Sequence, residues 1–195
     1  EIGGGDCKVS IAVAALVQNS IGIDVVDLLV PSDKLPLNFR FVKSNGLVIP
    51  LESAVADFVY CNQLLEHLHP DDAEDLVKDV FRVLKPGGTF LCITPNRLYG
   101  PHDVSRYFDK KATGFHLKEY TVGEAYKLIA KVGFQNVKLV YNTKKRFLLI
   151  SAAFGRCIEL IACLMTVKFR KKILTPLRIR CLLGFKMVAY KQSFN

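Results

Sequence analysis

The sequence predicts a doubly wound α/β fold around a mainly parallel sheet, and three observations carry that prediction. Short apolar runs of the β type alternate with helical patterns along most of the chain. A glycine-rich turn, Glu1-Ile2-Gly3-Gly4-Gly5-Asp6-Cys7, opens a helical pattern. A second short run, Ile21-Gly22-Ile23-Asp24-Val25, then places an acid where a strand should end. Glycine turn, helix, strand and acid make the first half of a doubly wound nucleotide-binding unit. Glycine takes positive φ and has no side chain, so the backbone of such a turn can approach a ligand closely. The 195 residues suffice for one domain with its own core.

Each element follows from its own pattern. Val9, Ala12, Val13 and Leu16 fall at i, i+3, i+4 and i+7 and predict one apolar helix face. Residues 25–38 carry Pro31 and Pro36, so any helix there is short. Phe39–Lys43 reads as a strand with Ser44-Asn45-Gly46 as its exit turn, and Asp57–Cys61 as a buried parallel strand. Asp71 with Glu74 predicts a capping box, and Ala73, Leu76, Val77, Val80, Phe81 and Leu84 form the face of the helix it opens. Pro86-Gly87-Gly88 should stop that helix ahead of a strand over Thr89–Thr94. Residues 95–118 are rich in turn formers, aromatics and His, and read as a functional loop. Thr121 with Glu124 predicts a second box, a helix through Val132, and a stop at Gly133. Val137–Tyr141 and Phe185–Tyr190 read as strands.

Charge and cysteine usage narrow the setting. Of the net +9, residues 1–143 carry 15 Lys/Arg against 17 Asp/Glu, while residues 144–195 carry 12 Lys/Arg and only Glu159. The basicity belongs to the tail. Six dispersed cysteines without a CxxC pair read as free thiols in a reducing, cytoplasmic compartment, and the spacings suggest no metal cluster. The chain begins inside the glycine turn, without Met and with almost none of the strand leading into it. A fragment of a longer protein, lacking a strand from the middle of the sheet, is expected.

The ordered motifs resemble those of class I S-adenosylmethionine-dependent methyltransferases of the small-molecule, quinone-pathway type. Glu1-Ile2-Gly3-Gly4-Gly5 resembles that family's acid-x-Gly-x-Gly-x-Gly loop. Asp24 is similar to the acid that holds the ribose hydroxyls, and Asn45-Gly46, five residues before Pro50, is similar to the family's Asp-Ala beside the adenine. Asp57-Phe58-Val59 with Leu65-Glu66-His67-Leu68, Arg82-Val83-Leu84-Lys85-Pro86-Gly87-Gly88 and Thr94-Pro95-Asn96 resemble the later elements in the family's order. The resemblance runs from Glu1 to about Val140. It implies a Rossmann-like methyltransferase fold with an antiparallel final strand, and S-adenosyl-L-methionine as cofactor. Its binding residues would be Glu1, Gly3, Gly4, Gly5, Asp24, Val25, Asn45, Gly46 and Asn62. Two departures stand out: Cys7 replaces the third glycine, putting a side chain where the loop approaches the cofactor's methionine part, and Asn45 replaces an Asp.

Methyl transfer from a sulfonium needs positioning more than catalytic side chains. His67, just past the strand ending near Asn62, could take a proton from an acceptor hydroxyl, or simply cap and pack its turn. His102 and Asp103 form a pair with either a catalytic or a loop-stapling role, and His116 reads as structural. No metal is expected.

The chain reads as a single domain. Residues 1–143 form the cofactor-binding core, 144–184 a basic, apolar helical insertion and 185–191 the last strand. Phe147–Val167 is apolar apart from Ser151, Arg156, Glu159 and Thr166, and its two charges argue against a spanning helix. A lid over a lipophilic acceptor, a contact with a membrane surface, or plain packing on the sheet all suit it. A small-molecule acceptor is thus the expected partner. The basic tail keeps a nucleic-acid methyltransferase in view, yet Asn62-Gln63-Leu64-Leu65 lacks the Pro-Pro-aromatic motif of amino-methylating base enzymes. Lys8 in place of glycine argues against a nicotinamide oxidoreductase. A methyltransferase-like binding module without activity is the remaining alternative, and oligomeric state is not legible.

Overall fold

Among the described residues, five of the seven strands share one direction, and the last strand runs against them through the middle of a sheet. In the computed structural model, residues 1–27, 29–31, 35–46, 48–142, 146–166, 169 and 184–193 are described. Strands β1 (Ser20–Asp24) and β2 (Phe39–Lys43) pair in parallel. Strands β3 (Ala56–Asn62), β4 (Leu84–Pro95), β5 (Gln135–Asn142), β6 (Phe147–Ser151) and β7 (Gly184–Tyr190) form a second sheet in the order β3-β4-β7-β5-β6. β3 and β4 are parallel, whereas β7 is antiparallel to both β4 and β5. β5 therefore points the same way as β4, and β6 folds back on it as an antiparallel edge. Ile2 forms parallel bridges to both Ile23 and Cys61, so this one residue links the two sheets in a common direction. The helices are α1 (Lys8–Val13), α2 (Pro70–Val83), α3 (Val122–Lys131) and α4 (Ala152–Cys163).

The core lies between β3, β4 and β7 and the helices α2 and α3. Ala73, Leu76, Val77, Val80 and Val83 turn inward from α2 onto Phe90, Cys92, Phe185 and Met187, all buried. Each large side chain so buried contributes about 1.5–3 kcal/mol. The capping box of α3 forms as its sequence predicts, with Thr121 Oγ1 accepting from the Glu124 N–H and the Glu124 carboxylate from the Thr121 N–H. The box expected at Asp71 does not form. His69 caps α2 instead, because Pro70 has a φ already suited to the first helical position and no N–H to satisfy. Glu74 is thereby freed to pair with Lys78 and Lys131.

The Pro86-Gly87-Gly88 stop is a bulge inside a strand. Helix α2 ends at Val83 and β4 begins at once, its register jumping from Ala56↔Leu84 to Phe58↔Thr89. Gly87, at φ +80, makes the turn, and a Cβ on Gly88 would meet the Lys85 carbonyl oxygen at 2.8 Å. Lys191 closes this corner, its ammonium donating to the carbonyls of Phe81, in the last turn of α2, and of Leu84, the residue that follows it.

Two expectations are corrected. The apolar face of the first helix does not meet the core: Val9, Ala12, Val13 and Leu16 are exposed, and Ser10 and Ala14 are buried. Glu1 decides this, because its carboxylate accepts both the N–H and the hydroxyl of Ser10 and turns that face inward. Val9 and Val13 border instead a cleft of about 1280 Å³ that is also lined by Ile21, Phe58, Leu91 and Val140 from the strands. The insertion expected over 144–184 is also not helical from its start. Phe147–Ser151 pairs with Lys138–Asn142 as β6, since a five-residue apolar run beside an open strand edge gains a ladder that a lone helical turn cannot. Lys144, Lys145 and the basic residues at 170–183 lie outside the described residues.

Within α4, Glu159 is buried. Its carboxylate accepts from the Val122 and Gly123 N–H groups at the first turn of α3 and from the Asn96 side chain. An acid at a helix N-terminus satisfies orphan donors and complements the helix dipole. The charge that stood out in the apolar run is therefore what docks α4 on the domain.

Candidate functional site

The candidate residues converge at the carboxyl ends of β1, β2 and β3, where open α/β sheets bind ligands. The glycine turn is held from below. The Gly3 and Gly4 N–H groups both donate to the Ile23 carbonyl, at 2.9 and 3.2 Å, and the Gly5 N–H donates to Asp24 Oδ2 at 2.7 Å. Gly5 has φ +53, and the space where its Cβ would stand is empty to 4 Å among the described residues. Only glycine leaves that face open in a left-handed conformation. Asp24 Oδ1 accepts from the Val26 N–H at 3.1 Å, so each carboxylate oxygen retains a lone pair.

Other predicted residues gather around this acid. The Ser44 N–H donates to the Asp24 carbonyl at 2.8 Å, drawing the exit of β2 against that of β1. A Cβ on Gly46 would stand 3.3 Å from Val25, so these two residues are neighbours. Asn45 Oδ1 accepts from the Val48 N–H at 3.3 Å, which shapes the turn. Asn62 ends β3, and Gln63 leaves it with φ +54. Leu64 then lies over Gly3, within 3.0 Å of where a Cβ would be. Glu1 Oε2 accepts the Ser10 N–H and hydroxyl and so ties the turn to α1.

Cys7 does not project into the ligand side as its sequence position suggests. It holds the left-handed conformation usual for glycine, φ +54, and is buried with Ala14 and Phe39. A Cβ on Gly22 would collide with Cys7 Sγ, so Gly22 provides the space that the thiol fills. Burial, with the nearby Glu1 carboxylate, pushes the Cys7 thiol up to about 11, which leaves it protonated and unreactive.

The residues singled out for proton transfer are each held by hydrogen bonds of their own. Asp103 accepts from the N–H groups of Ser105, Gly114 and His116. Burial works against its charge, yet the donors at His116 and Ser105 outweigh it and hold the carboxyl at about 2. His102 Nε2 donates to the Asn96 carbonyl at 2.8 Å. Both therefore fasten the loop, each to a different partner. His67 is exposed on the turn after β3, its Nδ1–H donating to the Phe115 carbonyl at 3.0 Å, which leaves Nε2 with a free lone pair.

A further cluster is invisible to sequence spacing. His67 and His116 meet edge to face with centroids 4.9 Å apart, and Glu66 lies against them. The Glu66 carboxyl is fully buried, and burial raises its pKa above the ordinary carboxylate value. The Leu65-Glu66-His67 turn was a signal in itself, but nothing pairs it with a residue about fifty positions on.

The family described as "Methyltransferase domain" matches residues 1–92. A protein of Mycolicibacterium smegmatis named a probable S-adenosylmethionine-dependent methyltransferase is 38% identical over 87 residues. That match covers 45% of this chain and 32% of the relative, so the chain spans about a third of the relative's length. Among solved structures, a SAM-dependent methyltransferase from Archaeoglobus fulgidus superposes with a TM-score of 0.64 at 18% identity, covering 97% of this chain and 84% of that one. Human N-acetylserotonin methyltransferase in complex with SAM gives 0.63 at 13% identity, covering 98% and 46%. These structural likenesses speak to the fold. The chain has the class I S-adenosylmethionine-dependent methyltransferase fold, and its first 92 residues match the methyltransferase-domain family. The cofactor of this class is S-adenosyl-L-methionine, and Asp24, Gly5 and the Val25–Gly46 corner fit it: a two-oxygen acceptor for a diol beside a Gly5 backbone that no side chain covers among the described residues.

Proposed function

We propose that this chain binds S-adenosyl-L-methionine at the Gly5–Asp24 corner, and that the protein it belongs to methylates a small, lipophilic acceptor. The observation that carries the reading is the Asp24 carboxylate. It is pinned by the Gly5 and Val26 N–H groups with acceptor capacity to spare, at the carboxyl edge of the sheet. Bound there, the cofactor supplies a methyl group already activated on a sulfonium. The chain's own residues then have three tasks. Asp24 accepts the ribose hydroxyls, Val25, Asn45 and Gly46 flank the adenine, and the turn from Asn62 to Leu68 borders the acceptor. Orientation of this kind accounts for most of what such a displacement requires. A hydroxyl acceptor must also lose a proton, to water or to the free Nε2 of His67.

The lipophilic character rests on the exposed face of α4 and β6. Phe147, Leu148 and Leu149 on β6, with Phe154, Leu160, Ile161 and Leu164 on and beyond α4, are exposed and apolar. Among the described residues no helix is long and apolar enough to cross a membrane, so such a face suits a surface contact or an apolar substrate. Incubating the full-length protein with methyl-labelled cofactor and separate pools of hydroxylated aromatic lipids, polar amines and RNA tests the reading. Label in the lipid pool is expected. Transfer to RNA alone would overturn the small-molecule assignment, and label in no pool would favour a binding module.

A further inference from the structure

We propose that Glu66, His67 and His116 bind one divalent first-row transition cation beside the acceptor side of the site. One ligand atom from each lies within 4.8 Å of the others. A carboxylate with two imidazoles is a donor set of intermediate softness, suited to zinc, cobalt or manganese rather than to calcium. Each group is already arranged as a ligand. His67 commits Nδ1–H to the Phe115 carbonyl and His116 commits Nδ1–H to Glu119 Oε1 at 2.8 Å, so both rings present Nε2 with its lone pair. Glu119 in turn accepts the His102 N–H at 2.6 Å, which fixes the carboxylate behind His116. Glu66 places Oε2 on the Thr94 hydroxyl at 2.9 Å, while its buried Oε1 has no hydrogen-bond partner. An unpartnered carboxylate oxygen in a dry site calls for a proton or a cation.

The geometry closes with one small movement. Ligand atoms at about 2.1 Å from zinc stand about 3.4 Å apart, so the cluster must tighten by roughly an ångström. His67 can supply it, since its side chain is exposed, whereas Glu66 and His116 are held on the core. The backbone already joins the two halves, because the Leu117 and Lys118 N–H groups donate to the Glu66 carbonyl. Exposure of His67 leaves a further coordination position for water or an acceptor oxygen. A hydroxyl bound there loses its proton to solvent more readily, so His67 Nε2 serves as a ligand and not as the base. That consequence rests on the methyl-transfer reading; the binding itself does not.

The test is cobalt(II) absorption with zinc calorimetry on the full-length protein without cofactor. A background of Cys157→Ser and Cys163→Ser removes the exposed thiols among the described residues. One equivalent should bind and give visible ligand-field bands. Glu66→Gln and His67→Ala should each weaken binding tenfold or more, while His69→Ala, exposed and outside the cluster, should leave it unchanged. His67→Ala also removes the bond to the Phe115 carbonyl and the ring contact with His116, so an unchanged circular dichroism spectrum and Tm in that variant show that loss of binding there is not loss of structure. No saturable uptake, or uptake that survives both Glu66→Gln and His67→Ala, would overturn the proposal. A separate titration with S-adenosylmethionine distinguishes failure of the methyltransferase reading from failure of this one.

Discussion

Replacing Glu159 with alanine tests whether α4 is part of the domain or an element that stands off it. The carboxylate serves three donors, the Val122 and Gly123 N–H groups and the Asn96 amide. Glu159→Ala leaves all three without their acceptor at a buried junction. A lost helix cap costs about 1 kcal/mol, and a buried donor left unpaired costs about 1–3 kcal/mol. Water can reach Gly123 in part, so the sum is about 3 kcal/mol. For a chain of this size each kcal/mol lowers Tm by about 2–4 °C. The expected fall in thermal unfolding by circular dichroism is therefore about 6–12 °C. Glu159→Gln keeps one acceptor and should lose about a third of that. A change below about 2 °C in both variants would refute the docking of α4 through this carboxylate.

Two other perturbations follow from the site. Asp103 has its folded-state pKa lowered from the ordinary 3.8 to about 2, so its contribution to stability is full above about pH 4 and is lost as pH falls through about 2. Asp103→Asn should thus lower Tm near neutrality and bring the two proteins together near pH 2; a constant gap across that range would contradict the assignment. Gly22→Ala drives a methyl group into Cys7 Sγ and should destabilise by about 1–3 kcal/mol. Cys7→Gly vacates that space, so the double variant should recover most of the loss in urea unfolding; simple additivity would show that the two residues do not share the space.

The fold was legible where one local pattern fixed one element. Thr121 and Glu124 start α3, the α2 face from Ala73 to Val80 is buried as its spacing predicts, and β1–β5 lie along their apolar runs. What escaped the sequence depended on partners distant in the chain. Glu1 rotates α1 through Ser10, Glu159 reaches α3 across thirty-six residues, and Gly22 gives Cys7 its pocket. Pro70 overrode the Asp71 cap by a local rule that two competing signals obscured. The glycine turn and Asp24 were readable because the acid and the loop stand at the ends of consecutive elements. The Glu66–His116 cluster was not, since only the return of the loop after Asp103 brings it together.

Calorimetric titration of the full-length protein with S-adenosylmethionine, beside its Asp24→Asn variant, tests the central claim most directly. Asp24 would contribute charge-assisted hydrogen bonds worth about 1.5–3 kcal/mol, so the variant should bind about 10–150-fold more weakly. The wild type should bind one equivalent. No heat of binding at millimolar cofactor, or equal affinity in the two proteins, would contradict the account.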